Sequence, residues 1–313
     1  MSNGITSFNA TNYLVPRYWP LWLWFGLLRL SCYLPYRAIL TLGAVAGWLM
    51  YRFIPRRRHI AEINIRRCFP ELNNAEQQQL VKESFRSAGI SLFEIAWSWW
   101  GPRHKLAPLC HIEGLEHLHA AQQQESGVLL FSAHFTCLEI GGRLLALHAP
   151  FHVMYKPHRN PLFEAVMRGG REGQFESAID RNDIRLLIKK LKHGDTCWYA
   201  LDQDFGHQNA VFAPFFGNPA ATLTATSRIA KITGCHVIPF FTRRREDGSG
   251  YQLTLLPPLE NFPSGDDLAD AILTNGLIET EIHKAPAQYL WAHRRFKSQP
   301  GGEHGNGTDL YGR

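Results

Sequence analysis

Apolar positions fall into three kinds of pattern along the chain. Over residues 18–54 they form two arms, YWPLWLWFGLL and AILTLGAVAGWLMY, broken by Arg29, Pro35 and Arg37. No uncharged run there reaches the roughly 18 residues of an unambiguous membrane span. Residues 18–36 still predict a membrane helix, with Arg29 free to snorkel and Pro35 to kink it; an in-plane helical hairpin fits the same pattern. Residues 57–100 predict helix. Val81, Phe85, Ala88, Leu92, Ile95 and Trp99 recur at three and four residues after a capping-box-like Asn74/Gln77 start. The stripe reads as core packing; Trp97, Trp99 and Trp100 at its end fit core or a lipid-facing edge.

From residue 128 onward, short apolar runs alternate with helical periods. Strands are predicted over 128–133, 151–155, 196–201, 236–241 and 251–256, and helices over 161–168, 182–193, 220–233 and 266–284. Alternation of this kind implies an α/β sheet with helices on its faces. The chain divides into an N-terminal membrane-anchor region, 1–54, a folded domain, 55–300, and a flexible Gly-rich tail, 301–313.

Composition sharpens this picture. Hydrophobic residues at 45% and charged residues at 19% of 313 exclude a disordered chain. Four of the nine tryptophans, Trp19, Trp22, Trp24 and Trp48, fall in the first fifty residues, where a membrane interface favours them. Arg52, Arg56, Arg57 and Arg58 follow the apolar region while Arg17 precedes it, which puts the C-terminal side in the cytoplasm and offers guanidinium groups to anionic headgroups. The segment lacks the basic start and small-residue cleavage site of a signal peptide. A net charge of +6 points to an anionic partner. The basic residues are dispersed, which disfavours nucleic acid. Six scattered cysteines without a CxxC pair argue against zinc clusters and disulfide scaffolds, and for buried thiols.

Candidate chemistry gathers at 128–147, VLLFSAHFTCLEIGGRLLAL. A buried-strand pattern ends at His134, and a helical pattern carrying Glu139 follows. An open α/β sheet places its chemistry at such strand ends. An imidazole there suits a general base, with a carboxylate to orient it. Fifteen histidines and 27 acids give about one His-x4-acid pair by chance. Of the three present, His111/Glu116 lies in a polar segment and His304/Asp309 in the tail. Cys137, inside the motif, reads as a buried thiol. A zinc hydrolase would need a third ligand at a recognisable spacing, and a membrane-anchored binding protein remains an alternative without chemistry.

Other features accompany the pair: Gly170 and Arg171; IDR at 179–181; LDQDFG at 201–206; IPFF at 238–241; and YLWAHRRFK at 289–297. With RYWPLWLW, LPY and RRRHIAEINIRRCFPEL before it, the set resembles the late acyltransferases of lipid A biosynthesis, over about residues 17–300. These belong to the wider lysophospholipid and glycerol-phosphate acyltransferase superfamily. The resemblance implies a mixed-sheet α/β acyltransferase domain behind the membrane-anchoring helical segment. His134 and Glu139 match the family's HxxxxE form of the HxxxxD motif. Arg171 and Asp202 match two further positions needed for activity, Arg181 falls in the block that binds the anionic acceptor, and Pro239 in the block whose proline shapes the pocket. No metal or organic cofactor is implied. The implied donor is an acyl thioester on acyl carrier protein and the implied acceptor a hydroxylated acyl chain of a phosphorylated lipid A precursor. The implied location is the inner membrane, with the active site facing the cytoplasm. In that scheme Glu139 orients His134, Arg171 clamps an acceptor phosphate with Arg181 and Arg185, and Asp202 fixes an arginine or a substrate hydroxyl. Arg294 and Arg295 are structural or meet the acidic carrier. An acceptor such as a lysophospholipid, glycerol phosphate or a mannosylated lipid would keep the fold and change the substrate.

Overall fold

The structure, a computed structural model, describes residues 13–124, 126–301 and 310–312. Expectations for 1–12 and 302–309 lie outside the described residues. Seven strands build the main sheet: β1 (Cys110–Glu113), β2 (Val128–Ser132), β3 (His152–Tyr155), β4 (Ser177–Asp180), β5 (Thr196–Ala200), β8 (His236–Arg244) and β9 (Tyr251–Leu255). A separate hairpin, β6 (Ala210–Phe215) and β7 (Asn218–Leu223), lies between β5 and β8 in the chain. The helices are α1 (Trp19–Ser31), α2 (Tyr36–Phe53), α3 (Pro55–Cys68), α4 (Asn74–Trp100), α5 (Arg103–Leu106), α6 (Leu115–Gln122), α7 (Leu138–Leu145), α8 (Pro161–Glu172), α9 (Ile184–Lys192), α10 (Ala225–Thr233) and α11 (Asp267–Lys284).

Sheet order is β1-β9-β8-β2-β5-β3-β4, and every neighbouring pair is parallel except β8 with β9. A mixed sheet with a parallel majority is the predicted class. Its central strand is β2, all five of whose residues are buried, as a run of consecutive apolar side chains requires. The helix predicted over 220–233 holds from Ala225 to Thr233 and fails at its start. Residues 218–223 form β7, and α10 begins only at Ala225. Strand β1, which was not predicted, lies in the polar segment that holds His111.

In α4 the cap falls one residue earlier than predicted. Asn73, in extended conformation, accepts from the Ala75 and Glu76 N–H groups, and Glu76 accepts from the Asn73 N–H at 2.8 Å. At the other end Trp97 and Trp99 are buried, so they belong to the core and not to a lipid-facing edge. Helices α2 and α4 touch backbone to backbone: a Cβ on Gly89 would sit 2.1 Å from the Gly47 nitrogen.

The predicted single helix over 18–36 is corrected. Helix α1 ends at Ser31, and a new helix starts after Pro35. Thirteen residues rise about 20 Å, short of a bilayer core of about 30 Å. Among the described residues no single helix is long and apolar enough to cross a membrane, and only α2 with α3, bent by 94°, passes jointly. Yet 14 of the 20 exposed large apolar side chains among the described residues lie in 14–54, including Trp19, Leu23, Leu30, Trp48 and Phe53. The inner faces of the same helices join the core: Leu28, Cys32 and Ile39 belong to one cluster with β2 and β8. The core is therefore not broken at residue 54. Nor is the end of the expected tail loose, since Tyr311 is buried, donating to Asn64 Oδ1 at 2.6 Å and accepting from the Phe296 N–H.

Candidate active site

Strand register builds the centre. Ser132 at the end of β2 stands opposite Ala200 at the end of the parallel strand β5. Two residues further along each strand come His134 and Asp202, so the chains deliver an imidazole and a carboxylate to one point on the C-terminal edge of the sheet. His134 Nδ1 lies 2.6 Å from Asp202 Oδ1, and the His134 backbone N–H donates to Oδ2 at 3.0 Å. Asp202 is 1% exposed, against 28% for the His134 ring. Burial alone would push the Asp202 carboxyl up. His134 outweighs it and, helped by a hydrogen bond from Tyr289, holds the pKa down at about 2. An ionised Asp202 keeps the proton of the imidazole on Nδ1 and leaves Nε2 as the basic nitrogen.

Glu139 does something different from what its spacing suggested. It sits in the first turn of α7. Its Oε1 accepts from Arg171 Nε and Trp99 Nε1, both at 2.9 Å, and its Oε2 from Arg171 Nη2 at 2.7 Å. None of its hydrogen bonds reaches His134, whose orienting partner is Asp202. The reason is geometric: His134 precedes the helix, and five residues on, the carboxylate has turned away from it. Burial would raise the Glu139 carboxyl, but the Arg171 guanidinium and the Trp99 indole keep it below the usual range. Burial would lower Arg171 too, and Glu139 restores and raises it. The pair is thus a half-buried, charged, bidentate ion pair.

Arg171 stands in the last turn of α8, over the Tyr155 ring at 5.3 Å. The helix predicted over 161–168 runs on through Gly169 and Gly170, both helical, to Glu172. Gly170 is where α8 rests on α4, since a Cβ there would come 2.6 Å from Trp99 Cγ. The guanidinium fork expected to be free for phosphate is closed on Glu139.

His134 and the Glu139–Arg171 pair border one cavity of ≈270 Å³. His134, Glu139, Arg171 and the exposed Lys156 are its polar lining, and Leu138, Phe151, Met154, Met167, Phe175 and Trp198 are among its apolar walls. Such a site presents a base to the end of a long apolar molecule. The remaining predicted residues stand apart from it. Arg181 packs over the Phe205 ring at 5.4 Å and is not in the cavity wall. Pro239 pairs with Phe131 inside the sheet. Cys137 is fully buried, donates to the Thr242 carbonyl, and is pushed up to about 12 by burial: an inert thiol. Arg295 is 2% exposed and donates to Ala221 O and Thr222 Oγ1, which makes it structural. Reasoning from sequence missed Trp99, Tyr289 and Lys156. Lys156 stands one residue past the end of β3 and His134 two past the end of β2, a signal that was available; the other two reach the site only through tertiary packing.

A family model for bacterial lipid A biosynthesis acyltransferases matches residues 7–298. The lipid A biosynthesis lauroyltransferase of Escherichia coli (strain K12) is 40% identical over 294 residues, 94% of this chain and 96% of the relative. The palmitoleoyltransferase of the same organism is 39% identical, over 94% of this chain and 96% of the relative. Its myristoyltransferase is 28% identical, over 92% and 90%. Matched along nearly its whole length, with a base and an apolar cavity at the strand ends, the chain belongs to the bacterial lipid A biosynthesis acyltransferase family.

Proposed function

We propose that this enzyme transfers a fatty acyl chain from a thioester on acyl carrier protein to a hydroxyl of the lipid A precursor, a step in lipopolysaccharide biosynthesis. The observation that carries the chemistry is His134, held by Asp202, at the wall of an apolar cavity. A hydroxyl is a poor nucleophile until a base takes its proton. His134 Nε2 takes that proton while the oxygen attacks the thioester carbonyl. The Asp202 carboxylate stabilises the imidazolium that forms. As the tetrahedral adduct collapses, the C–S bond breaks, the ester forms and the imidazolium returns its proton to the departing thiolate. The Glu139–Arg171 pair fixes α8 against α7 beside the base and gives the cavity a polar end. Lys156 at the rim faces the anionic part of a substrate.

The apolar walls fit the donor chain. Identity of 40% and 39% to lauroyl- and palmitoleoyltransferases, against 28% to a myristoyltransferase, favours the first two chain classes. The exposed side chains of α1 and α2 support attachment to the inner membrane, where the Trp-rich surface meets the headgroup layer. Arg56 and Arg57, exposed at the start of α3, support an active site on the cytoplasmic side.

The test is transfer from lauroyl- and palmitoleoyl-carrier protein to purified lipid A precursor, read by mass spectrometry. The product carries one added acyl chain. Acylation of lysophospholipid in preference to that precursor would reject the acceptor.

A further inference from the structure

A second apolar groove lies across the His134 segment from the cavity. Its volume is ≈490 Å³. Met50 and Ile54 at the α2–α3 corner, Phe85 and Ala88 of α4, and Leu290 and Trp291 form its apolar walls. Residues 134–136 are the partition: His134 lines the cavity and Thr136 lines the groove. The strand-like segment 288–290 fixes that partition, with the Thr136 N–H donating to Gln288 O at 2.7 Å and the Leu290 N–H to His134 O at 3.0 Å.

The groove has polar features suited to an amphiphile. Arg57 lines it, exposed, and spends one N–H on the Ala292 carbonyl at 3.0 Å. His293 also lines it, and His293 Nε2 is buried with no hydrogen-bond partner among the described residues. Ile54, 39% exposed, lies in the wall, and Phe53 beside it is 70% exposed, so the groove runs into the apolar face at the end of α2. An apolar slot that meets a membrane-type surface and carries a guanidinium matches an acyl chain with an anionic head.

A transferase that joins two acyl-bearing substrates needs two apolar sites meeting at its base. Given the transfer reaction proposed above, we infer that this groove holds an acyl chain of the acceptor lipid, with Arg57 on its anionic headgroup, while the donor chain occupies the cavity. The partition at 134–136 then keeps the chains apart and brings their reacting ends to the edge where His134 stands. The His293 nitrogen offers a hydrogen-bond site to an oxygen on the acceptor chain.

Filling the groove tests this. Ala88 is half-buried in its wall, and Ala88→Phe would occupy the slot. Transfer is measured with purified lipid A precursor as acceptor and lauroyl-carrier protein as donor, each varied in turn, and vesicle co-sedimentation is measured on the same samples. Ala88→Phe should raise the apparent KM for the acceptor by about tenfold or more, and Arg57→Gln should raise it in the same direction, with the donor KM within about twofold of wild type. Wild-type turnover in the same assay establishes the reaction independently. A raised donor KM or an altered donor chain-length profile would give the groove to the donor and overturn the inference. Loss of vesicle binding with an unchanged acceptor KM would give it to bulk lipid and overturn it as well. Where Ala88→Phe does not fold, Ala88→Val and Arg57→Gln read the same split. Folded variants with wild-type constants throughout would refute the site.

Discussion

At the scale of single residues, partners are set by what the fold brings close rather than by spacing. His134 was legible as a strand-end histidine, but its partner was not. The His-x4-Glu spacing drew attention to Glu139, whereas the register of β2 against β5 selects Asp202. Both residues stand two positions past a strand end, a coincidence visible only once the strands are known to be neighbours. His293 shows the same limit: its place in WAHRRFK does not announce burial. There, desolvation pushes the imidazole down to about 4, and the neighbours His134 and Arg295 lower it further while Asp202 and Asp204 oppose them. Between about pH 6.5 and 4 the unfolded chain binds a proton at this position that the folded chain refuses, so stability falls as pH is lowered through that window. Urea unfolding at steps of pH should show wild type losing stability relative to His293→Gln from pH 6.5 down to about 4, and no further divergence below. Parallel curves would contradict a neutral His293 with its Nε2 buried. The Asp202 carboxyl, held at about 2, titrates below that window.

At the scale of elements, periodicity placed most strands and helices, and close packing decided where it failed. Helix α8 runs through Gly169 and Gly170 because Gly170 lets the helix lie on Trp99, a contact no local pattern encodes. Gly170→Ala would set a Cβ 2.6 Å from Trp99 Cγ, and overpacking of this kind costs about 1–3 kcal/mol. Trp99 and Arg171 both hold Glu139, so transfer should fall together with stability. Gly169→Ala is the control: its Cβ meets nothing within 4 Å, and removing a helical glycine should leave stability unchanged or raise it by about 0.5–1 kcal/mol. Urea unfolding and transfer rates on the two variants check this; equal stability would remove the α8–Trp99 contact from the account. The hairpin β6–β7 was missed for another reason. Its turn, Phe216 and Gly217, has positive φ at both positions, 48° and 70°, as a tight two-residue hairpin demands. Phenylalanine is not a usual residue there, so the turn did not read as one.

At the scale of the whole molecule, the chain is a mixed-sheet transferase whose first two helices face two ways. Their outer surface is apolar and Trp-rich, and their inner surface enters the same core as the sheet. Sequence composition revealed the outer surface; it could not reveal the glycine contact that locks α2 to α4. The +6 charge and the apolar face are consistent with work at an anionic membrane. The central claim is that His134, positioned by Asp202, is the base for acyl transfer. The most direct measurement is the single-turnover rate of transfer for wild type, His134→Ala, Asp202→Asn and Glu139→Gln, each checked for folding. The account predicts that His134→Ala loses about 10²–10⁴ in rate, the worth of a positioned general base. Asp202→Asn should lose at least about 10² with little change in either KM, because the amide no longer holds the imidazole tautomer or its charge. Glu139→Gln should act through stability as well as rate. A folded His134→Ala enzyme with near-wild-type transfer, or an Asp202→Asn enzyme that only weakens acceptor binding, would contradict it.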